Sequence, residues 1–447
     1  MMDDSFLRLV RSATRGSSQV RAATVRETSR RYTRSTEPVQ GDIVRLQLVD
    51  IDGVMEWEDV TGAAPDLGRF RGQTDFRGQT GRTGLQQGDA IELEFKKLKP
   101  SKITSFLEGR DEQLTPHRGI RRLDVERGEL NPCEFPASGR ALVLIHGTFS
   151  NSESMMKGLL ETTAGAKFLR DAVRHYRGNV LTFDHPTLSV GPILNAMDFQ
   201  QLIGNSKAQI DLVSHSRGGL VARWWCETFD PRADRCRKAV LVGSPLAGTG
   251  LAAPPNIRET LTLLTQYSKA LHMVAGLTTI ALPVFSVVEA MLRVLTSITS
   301  LASKTPVADA AMSMVPGLFA MSRVGNNPEL RRLLDPPANN SGGEVAADRY
   351  HAVRSNFESE RPGWAFWRLF REAATAGHPL IDWAADAVFD GANDLVVDTA
   401  SMNQLWQGRR IAAERTLDFG TSDTVHHLNY FHQPQTADFL AEHLFSR

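Results

Sequence analysis

The chain has 447 residues, 41% hydrophobic and 23% charged, enough for one large core and a smaller second one. Lys plus Arg and Asp plus Glu number 51 each, which argues against a nucleic-acid or other polyanionic partner. Three cysteines, Cys133, Cys226 and Cys236, give no even disulfide framework and no CxxC pair, and a reducing, cytoplasmic setting fits them.

Residues 1–38 are rich in arginine, with eight Arg in 1–36 against Asp3, Asp4 and Glu27, and read as a basic flexible tail. No apolar run suited to a signal peptide follows the first charges. Residues 39–130 read as a small β-rich region. GDIVRLQLVDIDGVMEWEDV (41–60) alternates apolar and polar positions as one or two strands, and IELEF (91–95) as another. Between them FRGQT occurs at 70–74 and again at 76–80, in a Gly- and Thr-marked loop too short to be a repeat fold.

The texture changes near residue 131. ALVLIHG (141–147), VLTFDHP (180–186), IDLVSHS (210–216), AVLVGSP (239–245) and RYHAV (349–353) are short apolar runs of the kind buried on both faces of a parallel sheet. Helical stretches such as 154–176 lie between them. The alternation predicts an α/β domain over 131–447 with a mostly parallel, doubly wound sheet. A helical insertion at about 250–345 interrupts the rhythm, and from Ala270 to Val288 it carries no Asp, Glu, Lys or Arg. Pro283 and several polar residues disfavour a membrane span there; helices packed on the core, or a face meeting a membrane interface, fit better.

The chemistry concentrates in three places. Ser214-His215-Ser216-Arg217-Gly218-Gly219 follows a strand and precedes the amphipathic LVARWWCETF, the strand–turn–helix setting of a nucleophile elbow. Such a turn exposes Ser216 Oγ and aims the Arg217 N–H at a developing oxyanion. His146-Gly147-Thr148-Phe149 ends the first strong strand, and its Thr148 or Phe149 amide is the candidate second donor. A buried acid must then hold a histidine's tautomer, and Asp394 in DGANDLVVD is the candidate, with Asp390 and Asp398 as rivals. For the base, TVHHLNYFH (424–432) offers His427, with His426 as the alternative. Clustered histidines can bind metal, but no HExxH spacing accompanies these, and no GxGxxG or P-loop implies an organic cofactor.

LVLIHGTFSN, DLVSHSRGGL, VLVGSPLAGTGLA, NDLVV and VHHLNYF together resemble the α/β-hydrolase superfamily, in particular its lipase-like branch with GPI-inositol deacylase-like and lecithin acyltransferase-like enzymes. MVPGLFAM (314–321) and the following NNPEL (326–330) are similar to a segment that branch carries after its lid. The resemblance spans about 138–447 and departs from the pattern at Ser214, where Gly is usual, and at Leu395 and Asp398, where Gly and Pro are commoner. It implies an α/β-hydrolase fold with 250–345 as a cap, and a Ser216–His427–Asp394 esterase acting on hydrophobic or lipid-like esters. Peripheral membrane contact through the cap or the basic tail would follow. An amidase, peptidase or acyltransferase would use the same triad, and a non-catalytic scaffold is the reading from a different class.

Overall fold

The computed structural model describes residues 4–13, 19–24, 43–51, 54–59, 89–96, 98–230, 235–252, 261–262, 264–266, 268–270, 285, 288–294, 314–323, 327–335, 347–359, 391–406 and 408–446. The chain divides into two compact units, Met1–Ile103 with Arg258–Ala311, and Thr104–Ile257 with Met312–Arg447.

In the first unit, helix α1 (Asp4–Ala13) precedes strands β1 (Gln19–Thr24), β2 (Ile43–Ile51), β3 (Val54–Asp59) and β4 (Asp89–Lys96). The strands form an antiparallel sheet in the order β1-β4-β2-β3. Register places Leu48 opposite Trp57 and Ile91, and Leu46 opposite Leu93, and all five are buried. A small antiparallel sheet must cover its apolar face with something else. Residues of the apolar insertion do so: Phe285 meets the Phe6 ring edge-on at 6.0 Å, and Trp57 Nε1 donates to Thr265 Oγ1 at 2.9 Å.

Two sequence expectations therefore change. Parts of the stretch read as a flexible tail are regular elements, because Phe6, Leu9 and Val10 share one buried helix face and β1 finds its partner in β4. The middle of the expected cap, Arg258–Ala311, groups with the N-terminal sheet, while its flanks stay with the larger unit. Both FRGQT copies lie outside the described residues. No helix of the described residues is long and apolar enough to cross a membrane.

The second unit is built on an eight-stranded sheet of order β12-β11-β10-β9-β7-β8-β5-β6. Helix α2 (Ile103–Leu114) precedes its strands, which are β5 (Gly119–Asp124), β6 (Glu129–Pro132), β7 (Arg140–Ile145), β8 (Val180–Asp184), β9 (Gln209–His215), β10 (Cys236–Val242), β11 (Tyr350–Phe357) and β12 (Thr416–Ser422). The run from β12 to β8 is parallel, and β5 and β6 extend it antiparallel. The α/β class and mostly parallel sheet expected from the apolar runs are observed. The sheet begins earlier than residue 131, because β5 and β6 belong to it.

Period-two alternation sends side chains to both faces. Leu142, Leu144, Val213, Val240, Val242 and Val353 face a layer of helices α3 (Ser152–Leu160), α4 (Thr163–His175) and, at the chain's end, Pro434–Phe445. The stretch read as one helix over 154–176 is two, because Thr162 starts α4 by accepting the Gly165 N–H. On the other face lie α5 (Pro192–Ile203) and α6 (Gly218–Trp224), which pack on each other. Buried charge ties the antiparallel extension on: Arg121 on β5 bonds Asp184 at the end of β8 and Glu153 on α3. Asp111, fully buried, accepts the N–H groups of Thr187, Leu188 and Ser189 and so pins the loop after β8.

Candidate active site

The parallel strands β7, β9 and β10 end together, and the turn from β9 to α6 sits at that edge. Ser216 occupies the turn with φ +52°, a left-handed conformation that costs a non-glycine residue about 1–3 kcal/mol and persists only where neighbours enforce it. They do: Ser216 N–H donates to Val242 O at 2.8 Å, and Ser216 O accepts from Gly219 N at 2.9 Å. Two glycines permit the crowding. A Cβ on Gly218 would stand 2.5 Å from Ile145 O, and one on Gly147 would stand 2.7 Å from Ser216 Cβ. Ser214, which departs from the usual Gly, is fully buried with its Oγ 3.5 Å from Val240 O.

The acid comes from the loop after β11. Leu395 has φ +85°, a left-handed conformation that only glycine adopts without strain, and the turn carries Asp394 to the sheet edge. Asp394 is fully buried, and every oxygen lone pair has a use. Its Oδ1 accepts Val396 N–H at 3.1 Å and Val397 N–H at 2.8 Å. Its Oδ2 lies 2.8 Å from His427 Nδ1 and 2.9 Å from Tyr430 Oη. A second fastening joins His427 N–H to Asp394 O at 3.0 Å. Because a carboxylate only accepts, Nδ1 carries the proton and Nε2 keeps its lone pair. That Nε2 lies 2.9 Å from Ser216 Oγ, so the hydroxyl donates to it.

The structure thus brings Ser216, Asp394 and His427 into one hydrogen-bonded line across more than two hundred residues of sequence. The described rivals, Asp398 and His426, have other partners. Asp398 pairs with Arg323 at 2.6 Å, and Asp390 falls outside the described residues. His426, the alternative base, turns away from Ser216: its ring meets Phe357 edge-on at 5.7 Å and its Nδ1 faces Leu428 N–H at 3.4 Å.

Three further side chains, Tyr430, His215 and His146, lie around this line. Tyr430, three residues after His427, bonds the acid; burial beside Asp394 pushes its phenol well above the usual tyrosine range, so it remains a donor. His215 Nε2–H donates to His427 O at 2.8 Å, and burial next to His427 lowers its pKa to about 3. His146 is neutral by its bonds: Nδ1–H donates to Gly147 O at 2.9 Å, and Nε2 accepts His185 N–H at 3.2 Å. Burial lowers its pKa too. The spacing of Tyr430 from His427 was in the sequence, but nothing marked its hydroxyl as a partner of the acid.

The Thr148, Phe149 and Arg217 amides carry no hydrogen bond among the described residues. Phe149 has φ +64°, which curls the half-buried Thr148–Phe149 segment at the end of β7. The Arg217 side chain turns into the protein and is fully buried. Its Nη2 bonds Asn195 Oδ1 at 2.7 Å and the Val190 carbonyl, and its Nε bonds Gly317 O at 3.2 Å. Burial lowers its pKa to about 10, against the opposing pull of the Asp111 and Glu329 carboxylates. Its role at the turn is structural on the side-chain side, leaving only the backbone N–H for a ligand. The acid loop is fastened to the segment after β10, where Thr249 Oγ1 donates to Val396 O at 2.5 Å and Ser401 Oγ donates to Gly248 O at 2.6 Å. Among the described residues no group of three or more His, Cys, Asp or Glu is placed to hold a metal ion.

A family model described as "Domain of unknown function (DUF7379)" matches residues 120–445. No curated protein matches the chain. Among solved structures, the chain is similar to the lipase BlEst2 of Bacillus licheniformis, at 14% identity and TM-score 0.37, covering 71% of this chain and 96% of that one. It is similar to lipase 1 from Pelosinus fermentans at 14% identity and TM-score 0.36, covering 69% of this chain and 99% of that one. A metagenomic carboxyl esterase, MGS0156, is similar at 16% identity and TM-score 0.31, covering 76% and 90%.

Proposed function

This chain belongs to the DUF7379 family and has an α/β-hydrolase fold, and we propose that it is a serine hydrolase that cleaves carboxylic esters through an acyl-enzyme. The observation that carries the reading is His427, bonded on one side to buried Asp394 and on the other to a strained Ser216. An ordinary buried histidine needs neither a left-handed serine nor a carboxylate saturated by four donors.

In this mechanism Ser216 Oγ attacks the ester carbonyl while His427 Nε2 takes its proton. Asp394 fixes the tautomer and stabilises the imidazolium. The amides of Arg217 and of Thr148 or Phe149 receive the oxyanion, each such donor being worth about 2.7–4 kcal/mol in the transition state. His427 then protonates the departing alcohol. A water activated by the same nitrogen releases the acid.

A hydrophobic ester is supported by the apolar character of the neighbouring segment: Met321, beside Thr148 Oγ1 with its sulfur 3.6 Å away, comes from the MVPGLFAM stretch. Ester panels of graded acyl length, given to the wild type and to Ser216→Ala, test this reading. Turnover that rises with acyl length and vanishes in the variant is expected; equal turnover in both proteins would overturn it.

A further inference from the structure

Two of the three cysteines, apart by ten residues in sequence, come together at the opposite edge of the sheet from Ser216. Cys226 Sγ lies 3.0 Å from Cys236 Sγ, although the two are free thiols. Cys226 sits on the π-helical turn Trp225–Phe229 that continues α6, and Cys236 opens β10. Asp230, just after that turn, reaches the start of β10: its Oδ2 accepts the Cys236 N–H at 3.3 Å and its Oδ1 stands 3.6 Å from Arg235 Nε.

The chemistry of the pair is asymmetric. Cys226 is half-buried, whereas Cys236 is 2% exposed. The Cys226 contact, together with burial, pushes the Cys236 thiol well above its usual range. A cation stands beside both: burial would lower the Arg349 pKa, but Cys226 and Cys236, with Tyr350 and Asp230, hold it above its ordinary value. The more accessible sulfur, that of Cys226, is the one a dissolved oxidant reaches first. We propose that Cys226 and Cys236 form a reversible redox pair, with Cys226 the attacking thiol and Cys236 the resolving one, that closes an intramolecular disulfide.

With hydrogen peroxide as the oxidant, the Cys226 thiolate attacks one peroxide oxygen and the O–O bond breaks. The departing hydroxide leaves as water with the thiol's proton, and Cys226 is left as a sulfenic acid. The Cys236 sulfur then attacks the Cys226 sulfur; the S–S bond forms, the S–O bond breaks, and a second water carries off the Cys236 proton. Two thiols together lose two electrons and two hydrogens, and one peroxide becomes two waters. The bond would tie the end of the helix that starts behind Ser216 to the start of the adjacent strand. β10 runs seven residues from Cys236 to Val242, so the cross-link closes about 20 Å from the Ser216 turn at ~3.3 Å per residue. It would stabilise the fold without touching the active line.

The test exposes the full chain to hydrogen peroxide and, separately, to oxidised glutathione. Free thiols are then alkylated under denaturing conditions and peptides are mapped by mass spectrometry. The expected product joins the Cys226 and Cys236 peptides with the loss of two hydrogens, is cleaved by dithiothreitol, and leaves Cys133 alkylated. The melting temperature is expected to rise by roughly 5 °C on closure of so short a loop, with no rise in Cys226→Ser. Recovery of both thiols alkylated, a stable sulfinic acid on Cys226, or a stable glutathione adduct there would overturn the proposal.

Discussion

Tyr430 donates its hydroxyl to the Asp394 oxygen that also faces His427, at 2.9 Å and 2.8 Å respectively. The acid's charge is therefore shared between the histidine and a phenol that burial keeps protonated. Tyr430→Phe deletes that bond without changing shape. It should cost about 1–3 kcal/mol of stability, since one carboxylate oxygen loses a buried partner. It should also lower kcat about tenfold while leaving KM unchanged, because the loosened acid holds His427 less firmly. Urea melts and ester kinetics on the variant read both effects.

Asp394→Asn keeps an oxygen for the Val396 and Val397 amides, which hold the loop. The new amide nitrogen faces His427 Nδ1 with a donor, however, and forces the proton to Nε2, where Ser216 needs a lone pair. We expect kcat to fall about 10⁴-fold with near-native melting, as expected when the tautomer rather than the fold is lost. A variant that unfolds, or that keeps its rate, would count against that role for the loop.

Stability should fall on the acid side of neutrality. His215 and His426 have folded pKa values lowered to about 3, chiefly by burial. Unfolded histidines bind protons below about pH 6.5. As pH drops from there toward 3, the unfolded chain binds protons that the folded chain refuses, so each site removes about 1.4 kcal/mol per pH unit. Denaturant melts between pH 7 and pH 5 measure the slope. In His426→Asn, whose amide oxygen can still accept the Leu428 N–H, the slope should be shallower; an unchanged slope would refute the assignment to His426.

Arg121 bridges Asp184 and Glu153 where the antiparallel strands join the parallel ones. The pair with Asp184 is almost wholly buried, at 4% and 0% side-chain exposure. Arg121→Met leaves the buried Asp184 carboxylate with the Ser152 N–H but without its cation and should destabilise by about 3–5 kcal/mol. Arg127→Met is the control, because Arg127 pairs with Asp124 in an exposed setting at 3.8 Å, and it should change stability by under about 1 kcal/mol.

The parallel strands were legible because burial on both faces demands unbroken apolar runs, and ALVLI, VLTF and IDLV are such runs, too short for helices and repeated between helical stretches. Ser216 was legible because a tight strand-to-helix turn needs small residues, which Gly218 and Gly219 supply. The N-terminal elements were not: β1 pairs with β4 across a separation of about seventy residues, and a lone strand carrying Arg21 gives no periodic signal. The partner of the apolar insertion was hidden for the same reason, since the Trp57–Thr265 bond joins residues 208 apart. Tyr430 and the Cys226–Cys236 contact depend on how side chains point after folding, which spacing alone does not encode. The left-handed Leu395 shows the limit from the other side: a sequence departure beside the acid that the backbone accommodates while keeping Asp394 in line.

The most direct measurement of the central claim is fluorophosphonate labelling of the wild type and of Ser216→Ala, with the adduct mapped by mass spectrometry. One adduct is expected, on Ser216, formed rapidly at neutral pH, slowed in Asp394→Asn and absent in Ser216→Ala. An adduct on another serine, or no adduct in buffer and in detergent alike, would contradict it.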